Sequence, residues 1–113
     1  MLAQEIKKKM IQNSISLEMH GLNDLAWNKE DAKKLINEIM KDSVGILGGD
    51  VYRLTSIDIE ALSENWFCEP AEKESEEEYY LRSKLESLDY IENYSAQFDE
   101  KIIFSITFTE TII

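Results

Sequence analysis

Apolar residues recur at helical spacing in two segments of the N-terminal part of the chain. Leu2, Ile6 and Met10 lie four residues apart, which predicts an amphipathic helix from about residue 3 onward. The end of this helix stays open, because Ile15, Leu17 and Met19 alternate with polar residues up to residue 21 and fit either a longer helix or an extended segment. A second helix is predicted with Asn28 as its N-cap and an apolar stripe made of Ala32, Leu35, Ile36, Ile39 and Met40.

The C-terminal half combines a third helical pattern with alternating segments. Ser75 and Glu78 have the spacing of a capping box, and the following helix is predicted to bury Leu81, Leu85, Leu88 and Ile91. Residues 101–112 alternate apolar and polar side chains, which predicts a strand with one buried face. Residues 51–70 favour β structure, although residues 57–63 fit a strand or a short helix. Together these patterns predict an α+β fold: one two-layer domain over residues 1–113, with helices packed on one face of a mainly antiparallel sheet.

The segment "ILGGDVYRL" contains two of the four glycines in the chain. A glycine pair after an apolar run can begin a phosphate-binding loop, but such a loop also needs a cation and a following helix. Here Asp50 follows directly, and "DVYRL" alternates as a strand does. We therefore predict a tight turn between two extended segments, with Gly48 and Gly49 at positive φ and no anion site.

Length and composition indicate an ordinary globular domain. The chain has 113 residues and no apolar run near the roughly 18 residues that a membrane span requires. The N-terminal lysines are not followed by an apolar stretch, so a secretory signal is not expected. A single cysteine, Cys68, agrees with a reducing compartment, and a cytoplasmic location is expected.

The net charge of −11 arises entirely in the second part of the chain. Residues 1–49 carry seven lysines and seven acids, whereas the remainder carries 5 basic and 16 acidic residues, concentrated in 69–80. Acids in the first turn of a helix are favoured by its dipole, which accounts for those from Ser75 onward but not for Glu69, Glu72 and Glu74. Such a surface repels phosphate backbones and attracts basic proteins, so nucleic acid is not expected as a direct partner.

The residues available for chemistry are few. His20 and Cys68 are the only residues of their kind and form no known catalytic pattern, and no metal or cofactor motif is present, so we predict no enzyme activity. Trp66 and Phe67 are expected in the core. The tyrosines beside the acids fit the core and an exposed protein-binding patch equally well.

Several segments in order resemble the immunity protein 40 family, whose members are bacterial proteins encoded beside secreted polymorphic toxins. The resemblance covers roughly residues 20 to 108, and its most specific parts are "LGGDVY" (47–52), "NWFC" (65–68) and "YLRS" (80–83). It implies a small cytoplasmic protein that protects the producing cell by binding and blocking a toxin. On this interpretation the glycine segment is scaffold that positions Asp50 and Tyr52.

The first hypothesis is therefore an immunity protein that occludes a cognate toxin, which a basic, nuclease-type domain would suit. Its expected partner-binding residues are Glu69, Glu72, Glu74, Glu76, Glu77, Tyr79, Tyr80, Asp50 and Tyr52. The rival hypothesis is a small ligand-binding or enzymatic domain with a pocket near Asp50, Tyr52, Trp66 and Arg82. A third is self-association through the terminal strand, if that strand lies at a sheet edge.

Overall fold

The computed structural model describes residues 1–17, 25–95 and 101–112. Within these ranges it contains three helices and a five-stranded antiparallel sheet, which confirms the predicted α+β class. The helices are α1 (Gln4–Gln12), α2 (Lys29–Glu38) and α3 (Glu76–Asn93). The strands are β1 (Ile15–Ser16), β2 (Leu25–Asn28), β3 (Ile46–Leu54), β4 (Ile59–Phe67) and β5 (Lys101–Phe108).

The terminal strand β5 lies at the centre of the sheet. The strand order is β1-β2-β5-β3-β4, and every neighbouring pair is antiparallel. The edges are therefore β1 and β4, which removes the condition on which self-association through the terminal strand depended. The segment 57–63, for which strand and helix were both open, enters β4 at Ile59, while Ile57 lies in the preceding turn with 93% of its surface exposed.

Apolar side chains form one cluster on each face of the sheet. The larger cluster lies between the sheet and the helices and includes Trp27, Ile36, Val51, Trp66 and Phe104. A smaller cluster, formed by Leu17, Ala26, Tyr52 and Ile103, belongs to the opposite face. Because successive strand residues point to opposite faces, Val51 and Tyr52 separate into these two clusters.

Local capping signals begin two of the helices as the sequence predicts. The side chain of Asn28 accepts a hydrogen bond from the Asp31 backbone N–H at 2.8 Å at the start of α2. At the start of α3 the side chains of Ser75 and Glu78 bond each other's backbone N–H reciprocally. Helix α1 ends at Gln12, and the chain passes into β1, which resolves the alternative left open there. Residues 18–24, including His20, lie outside the described residues.

The predicted turn at the glycine pair is wrong, because both glycines lie inside the continuous strand β3. Gly48 has φ of +150° and adjoins a register shift between Ile46 and Gly48, whereas no positive φ occurs at Gly49. A Cβ on Gly49 would lie 2.2 Å from the Ser105 carbonyl oxygen and 2.3 Å from the ring of Trp66. Glycine at position 49 thus allows β5 to approach closely and leaves space for the indole ring of Trp66.

The buried face of α3 also differs from the prediction. Leu81 and Leu85 are 48% and 50% exposed, and Leu88 is only partly buried; of the predicted set, Ile91 alone is fully buried. The face toward the core instead carries Tyr79, Ser83, Lys84, Ser87 and Ile91. Lys84 Nζ donates to the carbonyl oxygens of Ile39 and Asp42 at 3.0 and 2.7 Å, so its charge meets the C-terminal end of α2.

Candidate protein-binding surface

Arg82 organises the acidic segment, which we define as residues 69–78. Its guanidinium donates to both carboxylate oxygens of Glu74, at 2.6 and 2.8 Å, and to the backbone carbonyl of Glu69 at 2.6 Å. The Glu74 carboxylate also accepts a hydrogen bond from the Ala71 backbone N–H at 3.1 Å. These contacts, that with Arg82 foremost, lower the pKa of Glu74 from 4.5 to about 2. Within the acidic segment, Glu74 is therefore bound to Arg82 of the same chain and is not one of its exposed acids.

The other acids predicted for partner binding lie on the surface. Glu69, Glu72, Glu76 and Glu77 are all exposed, and they extend from the end of β4 through the connection into the first turn of α3. Arg82 and the Ser75 capping box hold the backbone on which they stand. The connection and the first turn of α3 thus present four exposed carboxylates, two from each, on a backbone held by hydrogen bonds.

Tyr79 belongs to the core, which decides for this residue between the two environments that the sequence left equally open and corrects its inclusion among the expected partner-binding residues. It is 4% exposed, and its hydroxyl lies 2.5 Å from the Cys68 carbonyl oxygen and 3.3 Å from that of Ile46. Burial raises the pKa of the Tyr79 hydroxyl. Tyr80 is half-buried, and its ring packs where a side chain on Gly45 would lie.

The two residues predicted on β3 have different environments. Asp50 is exposed, whereas Tyr52 is 8% exposed in the cluster opposite the helices. Trp66 lies on the helix side, where its indole N–H donates to the Ser87 hydroxyl at 2.9 Å and its ring stacks on Tyr90 at a centroid distance of 4.7 Å. Tyr52 and Trp66 therefore belong to opposite faces of the sheet. They do not converge, and with Arg82 bound to Glu74 the four residues of the rival hypothesis form no common pocket.

Cys68 lies in an environment that suppresses thiol chemistry. It is 2% exposed, with its Sγ 3.8 Å from the Ser83 carbonyl oxygen and 3.9 Å from the Ser87 hydroxyl. Burial raises the pKa of the Cys68 thiol, which disfavours the reactive thiolate. In the ranges that the structure describes, no three His, Cys, Asp or Glu side chains are grouped to hold a metal ion.

Comparison with protein families accounts for most of the chain. The model of the family described as Immunity protein 40 matches residues 16–108. The chain belongs to this immunity protein family. Membership implies an immunity protein directed against a toxin, and it suggests an inhibitor without enzymatic activity. No curated protein and no solved structure matches the chain.

The family match begins after α1, yet Leu2 and Met10 of that N-terminal region are buried in the main core at 4% and 3% exposure. Among the described residues, no helix has both the length and the apolar character needed to cross a membrane.

Sequence reasoning missed a set of exposed apolar side chains on either side of the acidic segment of this immunity protein. Phe67 was expected in the core but is 76% exposed, and Leu47, which precedes the Gly48 that pairs with Phe67, is 42% exposed. Leu81 and Leu85 follow the segment on the outward face of α3. For Phe67 a signal was present in the alternation: with Trp66 and Cys68 buried, the residue between them must point to the other face.

Proposed function

We propose that this immunity protein neutralises a cognate secreted toxin by binding it stoichiometrically and occluding it. The acidic segment steers it to a basic toxin domain, for which a nuclease-type enzyme has the required charge. On this proposal the protein acts in the cytoplasm of the cell that makes the toxin and performs no chemistry itself. Family membership supports the toxin as partner, and the net charge of −11 supports a basic surface on it.

The observation that carries the proposal is the exposure of four acids on a backbone that Arg82 and the capping box hold in place. Like charges so close together repel one another, and capping accounts only for those in α3. A basic partner would relieve this repulsion. Because exposed charges around an interface act mainly on the rate of encounter, the acidic segment should govern association more than dissociation.

The test measures binding to the purified, inactivated domain of the cognate toxin, as a function of ionic strength. Glu69→Lys with Glu72→Lys should slow association by about tenfold at low salt, and the difference should shrink as salt rises. The matched control reverses two exposed acids elsewhere, Glu5→Lys with Glu38→Lys, which changes the net charge equally. This control should lose much less, because its charges lie on α1 and α2.

Equal losses in both double variants would show that only net charge matters and would contradict a defined acidic surface. Absence of any binding by the unsubstituted chain would contradict the proposed function itself. Thermal unfolding should be nearly unchanged in both variants, since substitutions of exposed charges usually alter stability by less than about 0.5 kcal/mol.

A further inference from the structure

Phe67 presents its ring to solvent on the sheet face opposite the helices. Within the described ranges it is the only aromatic side chain exposed over most of its surface, at 76%. Trp66 and Cys68 on either side are buried beneath α3 at 7% and 2%. Across the ladder Phe67 pairs with Gly48, which has no side chain to cover the ring. The exposure of Phe67 therefore follows from the strand register, which places a glycine opposite it. A larger residue is excluded at position 48, because a Cβ there would lie 2.2 Å from the Trp66 carbonyl oxygen.

The backbone around Phe67 is fixed on both sides. Before it, the indole of Trp66 is hydrogen-bonded to Ser87 and stacked on Tyr90. After it, the Cys68 N–H donates to the Leu47 carbonyl at 2.9 Å, and the Cys68 carbonyl accepts from the Tyr79 hydroxyl. An aromatic ring on so constrained a backbone has only its two side-chain torsions to lose on binding, which keeps the entropic cost of association low.

Exposed acids and a further exposed apolar residue lie close to Phe67 in the strand pairing and along the chain. Asp50 is exposed and shares the face of Phe67, because it is two residues from Gly48 along β3 and pairs with Asn65. Glu69 follows two residues later at the exposed beginning of the acidic segment. Leu47 is exposed and directly precedes Gly48, the strand partner of Phe67, and its carbonyl oxygen accepts the Cys68 N–H. An apolar centre within an acidic rim is the arrangement that a basic protein surface with an apolar recess complements.

A second copy of this chain does not fit that description. Each chain carries a net charge of −11, so pairing through this face would bring two acidic rims together. Pairing along the β4 edge is disfavoured as well, because β4 is interrupted by an irregularity opposite Asp50 and Tyr52 and carries Glu60 and Glu64.

We propose that Phe67 is the central anchor of the toxin interface, entering an apolar recess on a basic surface of the toxin domain, with Asp50 and Glu69 pairing with lysines or arginines at its rim. This inference rests on the proposed function and assigns to Phe67 the anchoring role that the buried Tyr79 cannot fill. Truncation of such an anchor acts chiefly on the dissociation rate.

The experiment compares Phe67→Ala with Ile57→Ala, using the same inactivated toxin domain in a surface-binding assay. Ile57 is a matched apolar control, because it is 93% exposed in the turn at the opposite end of the β3–β4 hairpin. Phe67→Ala should speed dissociation about 30-fold and change association by less than about threefold. Phe67→Leu should lie between Phe67→Ala and the unsubstituted chain, and Ile57→Ala should bind as the unsubstituted chain does.

A third variant, Leu81→Ala with Leu85→Ala, separates the two exposed apolar regions. The double leucine variant could speed dissociation about 30-fold while Phe67→Ala binds normally. In that case the anchor lies on α3 and the inference is wrong. Binding by the unsubstituted chain in that case still upholds the proposed function. Circular dichroism and thermal unfolding accompany each variant, and a folded Phe67→Ala protein that binds normally overturns the inference directly.

Discussion

Arg82 shows how one cation gives structure to a run of acids. In the sequence, Glu69, Glu72 and Glu74 appeared equivalent, because none of them could be explained by helix capping. The structure separates them, since Glu74 is held by a residue eight positions later and by the backbone at Ala71, while Glu69 and Glu72 are exposed. No helical or strand periodicity joins positions 74 and 82 across a connection, so this partner could not be predicted.

Replacing Glu74 with Gln should change how the stability of the folded protein depends on pH. The pKa of Glu74 in the folded protein is about 2, below its ordinary value of 4.5, so the folded state binds this proton less readily than the unfolded chain. The stabilisation is therefore fully present above about pH 4.5 and is lost as the pH falls toward 2. Glu74→Gln should be less stable than the unsubstituted protein at neutral pH, and the two should converge in this acidic range.

Urea unfolding at a series of pH values measures the effect, and Glu72→Gln is the control. Glu72 is exposed in the same connection, so the Glu72→Gln protein should show the same dependence of stability on pH as the unsubstituted protein. Parallel curves for Glu74→Gln and the unsubstituted protein at all pH values would show that the Arg82 contact does not stabilise the fold.

Among the elements, α2 and α3 show what a sequence can and cannot predict about packing. The cap and apolar stripe of α2 are local features, and the structure confirms Asn28 as N-cap with Ala32, Leu35 and Ile36 buried. The buried face of α3 is largely polar, because Ser83 and Ser87 meet distant partners, the Ile46 N–H and the Trp66 indole. These partners exist only in the folded chain, so a rule that buries leucines selected the wrong face.

The same limit applies to the candidate surface. The acids Glu69, Glu72, Glu76 and Glu77 could be placed on the surface from their charge alone. The exposure of Phe67 and the burial of Tyr79 instead depend on strand register and on carbonyl acceptors in β3 and after β4. Register is a property of paired strands, and pairing between β3 and β4 was not predicted.

Strand β3 should be far less tolerant of a side chain at Gly49 than the preceding loop is at Gly45. At Gly49 a Cβ would collide with the Ser105 backbone oxygen at 2.2 Å and the Trp66 ring at 2.3 Å. At Gly45 the nearest atom, at 2.9 Å, belongs to the side chain of Tyr80, which can shift. Gly49→Ala should thus cost about 3 kcal/mol or more in free energy of unfolding, and Gly45→Ala about 1 kcal/mol. Urea denaturation compares them, and equal losses would contradict the close approach at Gly49.

In the whole molecule, the last strand completes the sheet. β5 joins β2 on one side and β3 on the other, so the two hairpin-like parts of the sheet, β1 with β2 and β3 with β4, meet only through it. The alternation of residues 101–112 predicted a strand but carried no information about its neighbours. The prediction of one buried face is wrong, because Ile103 and Phe104 point to opposite faces of the sheet and are both buried, each in a different apolar cluster.

Removing β5 should therefore abolish the fold, whereas removing α1 should only weaken it. A chain ending at residue 100 leaves β2 and β3 without their shared partner and exposes both apolar clusters, so we expect no cooperative unfolding transition. A chain beginning at residue 14 loses Leu2 and Met10 from the core and the Met10 carbonyl that accepts from the Trp27 indole at 2.9 Å, but it keeps all five strands. This shorter chain should still unfold cooperatively but at a lower urea concentration than the full chain. Circular dichroism and tryptophan fluorescence measure the unfolding. A cooperative transition in the chain without β5 would show that the sheet does not depend on its central strand. Loss of folding in the chain without α1 would show that the N-terminal region, which lies outside the family match, is essential to the fold.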